Sequence, residues 1–163
     1  MRIQFVFLLT LAVTMGAAQT KVSGTVECSK PDQQHSIDVG DRPNHSYVIS
    51  QGKCTWTKPI DIGGVQAKED LATAFIEAMG DRSRTHRTVV TTFSNGDKME
   101  IHTQGSATMQ GNNVSENGTW IMARGTGKVN GFGGEGAYKC TGPIDKVSCE
   151  IEGEYHPRSS GKK

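Results

Sequence analysis

The stretch HRTVVTTFSNGDKMEIHTQG, residues 86–105, constrains this chain more than any other, because it is two alternating runs joined at Asn95-Gly96. Asn-Gly between runs of period two is a strong short-range signal for a β-hairpin. On the second arm Met99, Ile101 and Thr103 face one way, and Glu100, His102 and Gln104 the other. The rhythm persists beyond it: SATMQ (106–110) continues the strand and GNNVSEN (111–117) reads as a turn. GTWIMARG (118–125) sets Trp120, Met122 and Arg124 against Thr119, Ile121 and Ala123, and AYKC (137–140) and KVSCEIEGEY (146–155) add further short strands. Near the N-terminus, TKVSGTVEC alternates Val22, Gly24, Val26 and Cys28 with polar residues. SYVISQGKCTWT (46–57) is another strand candidate, whereas residues 29–45 are polar and aperiodic and read as a long excursion. Many short strands with regular turns indicate an antiparallel barrel or sandwich.

One segment resists this reading. In QAKEDLATAFIEAMG (66–80), Leu71, Phe75 and Met79 recur every four residues, and the composition favours a helix locally. At period two the same segment lines Leu71, Thr73, Phe75, Glu77 and Met79 along one face.

Residues 1–18 carry a minimal charged start at Arg2, a short apolar run from Phe5 to Val13, and Gly16-Ala17-Ala18 before Gln19. This is the pattern of a cleaved secretory signal, and the run is too short to span a bilayer. Residues 19–156 are then one domain, with 157–163 a disordered tail, and the protein is expected to be secreted or periplasmic. Loss of Arg2 leaves 17 basic against 17 acidic residues. A neutral mature chain lacks the basic excess of a nucleic-acid or anionic-membrane binder.

Cys28, Cys54, Cys140 and Cys149 all lie in the exported part, and an oxidising compartment favours disulfides. Closing the shorter loops is entropically easier, so Cys28–Cys54 and Cys140–Cys149 is the preferred pairing of the three possible. The five histidines show no metal-ligand spacing and no C-x-x-C occurs, so neither a metal nor a cofactor is expected. In GTGKVNGFGGEGAYKC (125–140), Met122 stands where a P-loop needs its first glycine and Val129 where it needs a hydroxyl. The glycines serve shape, not phosphate chemistry. No Ser-His-Asp or Cys-His arrangement is visible either.

NGDK (95–98), QGSATM (104–109), NGTW (117–120) and GTGKVNGFGGEGAYKC (125–140), in that order, resemble bacterial secreted proteins with an allene oxide cyclase/dirigent-like barrel. The likeness covers roughly residues 66–140 and departs from the usual pattern at Asn130 and Phe132-Gly133. It implies an eight-stranded antiparallel β-barrel with a central cavity, in which 71–80 is a strand, and a dimer or trimer is compatible with it. Relatives of the fold include cofactor-free cyclases and dirigent proteins, which work by confining a reactive intermediate.

A barrel of eight strands either fills with side chains or holds one small ligand. The candidate lining is Phe75, Glu77, Met79, Glu100, His102, Trp120, Met122, Arg124 and Tyr138. Against this, Glu100 and His102 are equally read as facing water while Met99 and Ile101 pack inside, and Glu77 with Arg124 as a structural ion pair. Three functions follow: a binder of a small hydrophobic or amphipathic molecule, an isomerase or cyclase, and an interaction module with a packed interior.

Overall fold

A computed structural model describes residues 19–158, so the expected signal segment, residues 1–18, and residues 159–163 lie outside the described part. The chain forms β1 (Thr20–Ser29), β2 (Gln33–Asp38), β3 (His45–Lys58), β4 (Asp61–Ile62), β5 (Val65–Met79), β6 (Arg82–Phe93), β7 (Lys98–Gln110), β8 (Asn113–Gly125), β9 (Phe132–Pro143) and β10 (Lys146–Pro157). A single 3-10 turn, Gly127–Val129, precedes β9. There is no α-helix among the described residues. Neighbouring strands pair antiparallel in the order β3-β1-β10-β9-β8-β7-β6-β5, and β5 pairs back to β3, which closes an eight-stranded barrel.

The segment with helical propensity is the longest strand. β5 is paired along its length with β3 on one edge and β6 on the other. A helix there would leave both neighbours with unpaired edges, and the ladder outweighs local propensity. The Asn-Gly hairpin forms as expected: Gly96 takes φ 86°, and Asp97 N–H donates to Asn95 Oδ1 at 3.0 Å. The excursion over 29–45 does contain a strand. β2 lies along the half of β3 that β1 does not reach, and every residue of it is exposed. With neither face buried, no period was selected for the eye to find.

The barrel has unlike ends. At one, Ile60, Ile62 and Val65 from the β3–β5 connection pack with Phe93, Met99 and Val129, all nearly or fully buried. This floor lies beside the β6–β7 turn. The opposite end carries the short β5–β6, β7–β8 and β9–β10 turns and has no such plug. Both disulfides, Cys28–Cys54 and Cys140–Cys149, join directly paired positions on β1/β3 and β10/β9. This is the pairing that loop length favoured. The first two residues of the expected disordered tail, 157–163, are ordered: Pro157 pairs with Phe132, and Arg158 Nη2 donates to the carbonyls of Met122 (2.7 Å) and Ala123 (2.6 Å).

Candidate functional site

Alternation along the strands sends a distinctive set of side chains inward. On β5 these are Asp70, Ala72, Ala74, Ile76 and Ala78, and on β3 Ser50 and Gly52. Across the barrel, β8 and β9 send in Trp120 and Tyr138. Their rings have room because glycine faces them. A Cβ on Gly136 or Gly153 would collide with the Trp120 indole, and one on Gly105 or Gly118 with the Tyr138 hydroxyl. Small residues on one wall and flat aromatics on the other leave a cavity of about 410 Å³, extending inward from the unplugged end. That lies at the low end of the roughly 300–1,000 Å³ usual for small-molecule pockets. Its lining is chiefly apolar, with Val48, Ile76, Val89, Ile101 and Ile151 prominent.

A charged cluster sits in this cavity. Arg87 on β6 forks onto Glu116 on β8: Nη1 reaches Oε1 and Nη2 donates to Oε2 at 2.7 Å. Oε1 also accepts from the Thr85 hydroxyl and from the Tyr138 phenol, each at 2.7 Å. Burial pushes the Glu116 carboxyl up, but the bonds and charge of Arg87, helped by Thr85 and Tyr138, outweigh it and hold the group below its ordinary value. Burial likewise disfavours the guanidinium, and Glu116 more than offsets it. Tyr138 is pushed up to about 12 by its own burial and by the neighbouring carboxylate. The cluster is therefore an ionised pair buttressed by two neutral hydroxyls, with no net charge.

Two further polar groups of the lining stand out. Asp70 is buried and accepts a 3.0 Å bond from Trp56 Nε1, and burial pushes its carboxyl up. Thr103, paired in register with Arg87 on one side and Trp120 on the other, has a buried hydroxyl with no protein partner. Among the described residues no group of three or more His, Cys, Asp or Glu could hold a metal ion.

Of the nine residues expected to line a cavity, the interior receives Trp120, Met122 and Tyr138. Met122 is buried towards the floor, with its sulfur close to Gly134. The other six are on the outside. Phe75, Glu77 and Met79 occupy the outer face of β5, because the inner face belongs to Asp70 and the alanines. Phe75 is 45 % exposed and stacks on Tyr47, and Glu77 bonds His45 Nε2 at 3.3 Å. Glu100, His102 and Arg124 form an external network, with Glu100 accepting from Arg124 Nε at 2.6 Å and lying 2.8 Å from His102 Nε2. Arg124 leaves the face of Trp120 and Met122 because the register shifts there: Glu100 pairs Arg124 but Ile101 pairs Met122, so Ala123 is an extra residue. A shallow groove on the outer wall gathers Ile49, Thr73, Phe75, His86 and His102.

The residues that sequence reasoning missed are Thr85, Arg87, Asp70, Thr103 and Glu116. A signal existed for three of them. Counting back from Trp120 by twos reaches Glu116, and counting back from Phe93 by twos reaches Arg87 and Thr85. The turn is only Gly111-Asn112, so the expected turn over 111–117 hid the start of β8.

The fold and interior define a hollow eight-stranded β-barrel with one closed end. No model of a known protein family matches the chain, and no curated protein is significantly similar to it. Among solved structures it is similar to a conserved protein of unknown function from Rhodopseudomonas palustris, with a TM-score of 0.54 and 6% identity over 85% of this chain and 99% of that one. A protein of unknown function from Clostridium acetobutylicum ATCC 824 aligns with a TM-score of 0.51 and 8% identity, covering 84% of this chain and 99% of the other. At such identities the likeness is one of fold.

Proposed function

We propose that this chain is an exported barrel that holds one small, largely apolar molecule inside. The observation that carries this reading is the cavity of about 410 Å³, unplugged at one end and lined chiefly by apolar side chains around the Arg87–Glu116 pair and Asp70. A few convergent polar groups in an apolar concavity are the ordinary form of a ligand site. Two disulfides suit an oxidising compartment, and no helix among the described residues is long and apolar enough to cross a membrane. The motif order shared with allene oxide cyclase/dirigent-like barrels agrees with this architecture, and we place the chain near them on those motifs.

A cofactor-free isomerase or cyclase is the second reading. It is favoured by one observation: Asp70 is pushed up and Glu116 held down, two carboxyls of unlike character lining one cavity. The third expectation, a packed interior serving only as structure, is disfavoured by the empty space.

Native mass spectrometry of the protein from its own host's exported fraction tests the proposal, and a stoichiometric adduct lost on unfolding is expected. The chain's two tryptophans, Trp56 and Trp120, both line the cavity, so their emission provides a second readout. A clean unliganded mass, with emission unmoved by apolar alcohols, acids and hydrocarbons, would sink the reading. Release of an adduct chemically altered from the molecule supplied would decide for the isomerase.

A further inference from the structure

Closing the barrel leaves one full strand with an open side. Among the described strands, only β2 and the two-residue β4 pair on a single side. All six residues of β2 are exposed. Its pairing with β3 is regular from Gln33–Gln51 to Asp38–Ser46, and it runs on to Val39, whose N–H donates to the His45 carbonyl at 3.0 Å. Alternation from that bond turns the backbone groups of Gln33, His35 and Ile37 towards β3. Those of Gln34, Ser36 and Asp38 point the other way, where no strand of the chain pairs with them.

An unpaired edge recognises extended backbone before it recognises any side chain. Natural edges are commonly shielded by lysine or by proline, and β2 has neither between Gln33 and Asp38. It presents instead the most exposed large apolar side chain of the described residues, Ile37 at 73%, in register with Tyr47. Ile49 and Phe75 pair beside them, and Phe75 stacks on Tyr47, so an apolar outer face adjoins the open edge.

We propose that β2 is the contact of a two-fold dimer, in which β2 of a second copy adds antiparallel, centred on Ser36. Gln34 of each copy then meets Asp38 of the other, and the two Ser36 residues meet on the axis. All three outward residues bond, giving about six backbone hydrogen bonds across the seam. His35 lies against Ile37 of the other copy in the closer, non-hydrogen-bonded position, which covers Ile37 and joins the two apolar faces. No like charges oppose each other between Gln33 and Val39. Sliding the pairing two residues one way opposes Asp32 and Asp38. Sliding it the other way sets Gln34 against Gly40, whose φ of 79° ends the strand, so only Ser36 and Asp38 bond. The dimer does not depend on what the barrel holds, but Gln34 lines the cavity, so the second copy borders one side of its mouth.

Sedimentation velocity of the disulfide-bonded protein from about 5 µM to about 500 µM tests this, because so small a ladder belongs among weak interfaces. Monomer at the low end and dimer at the high end are expected. Ser36→Pro removes an outward N–H and spares the β3 ladder, since proline is tolerated on the open side of an edge strand. It should weaken association by about tenfold or more. Ser36→Lys and Ser36→Glu each set like charges face to face on the axis and should weaken it by a similar factor. An equimolar mixture of those two variants should associate again, because opposite charges then meet. Circular dichroism establishes that each variant keeps the parent's sheet; should the proline variant not, the lysine and glutamate variants decide. A parent that stays monomeric at about 500 µM overturns the proposal. So does a dimer or trimer indifferent to every change at position 36, which places the interface elsewhere. Tightening by Ser36→Lys overturns it too, since that puts position 36 against Asp38 of the other copy.

Discussion

Replacing Arg87 by leucine isolates the energetics of the interior. The change keeps most of the side chain's volume but strands Glu116, whose side chain is 5% exposed, without its cation. Removing one partner of a buried pair costs roughly 3–5 kcal/mol, because the remaining charge stays desolvated. The Arg87 side chain retains 22% of its exposure, which leaves room for water, so the low end applies: about 3 kcal/mol. For a domain of this size that is about 10 °C in Tm. The pH dependence gives a sharper test, because its sign inverts. In the parent the folded-state value of Glu116 lies below the unfolded one, so its contribution is present at neutral pH and is lost as pH falls through the folded value. In Arg87→Leu only burial and the two hydroxyls act on the carboxyl, and burial pushes it up. A raised folded value means the contribution is intact at low pH and lost as pH rises through it, so acidifying from neutral should recover stability in the variant. Urea unfolding across the acid range, with both disulfides intact, reads both effects. A variant within about 1 kcal/mol of the parent, or one with a parallel pH profile, would refute the claim that this pair is a desolvated unit.

Other parts of the structure make separate demands. By loop-closure entropy, removing Cys28–Cys54, with a sequence separation of 26, should cost about 3.5 kcal/mol, against about 2.6 kcal/mol for Cys140–Cys149 with a separation of 9. Paired Cys→Ser variants measured by denaturant unfolding check the order. Gly136→Ala, whose Cβ would meet the Trp120 indole, should lower stability by about 1–3 kcal/mol and shift tryptophan emission. Arg124→Ala, by contrast, removes an exposed partner of Glu100 and should change stability by less than about 1 kcal/mol.

What the sequence made legible was pattern with one unambiguous face. β1 alternates small apolar residues with charged or hydroxyl residues, so its inner face is readable, and the glycine-rich stretch was rightly read as shape. Loop length alone gave the disulfides. The β5 wall could not be read that way, because both of its faces carry apolar residues. Leu71 and Phe75 are outside, whereas the inner face carries Ala72, Ala74 and Ala78 with Ile76 as its one large apolar residue. Size normally argues for burial, but a hollow barrel reverses the preference on the wall that faces its aromatics. Arg124 failed for a different reason. Parity carried forward from Trp120 is sound until Ala123, where one inserted residue exchanges the faces, and nothing local in ARG announces it. Arg87 and Glu116 went unseen because a charged residue in an alternating strand is by default assigned to solvent. Their partnership spans 29 residues and exists only once the barrel closes.

The hollow interior is itself an argument. Larger apolar residues in place of Ala72, Ala74 and Gly52 would fill space, and replacing a buried ion pair by well-packed hydrophobes is often neutral or stabilising. A barrel whose task was only to stand would gain from both changes. This chain does the reverse on two counts: it keeps alanine, glycine and serine on the wall opposite Trp120, and it sets an arginine and a glutamate at the centre. Each of these costs stability on its own, and both lie in the same 410 Å³ cavity. Local departures from good packing concentrate at functional sites. The plugged floor of Ile62, Phe93, Met99 and Val129, each buried to 1% exposure or less, supplies the internal contrast: the same chain fills the barrel with apolar side chains at the closed end and leaves it hollow beyond.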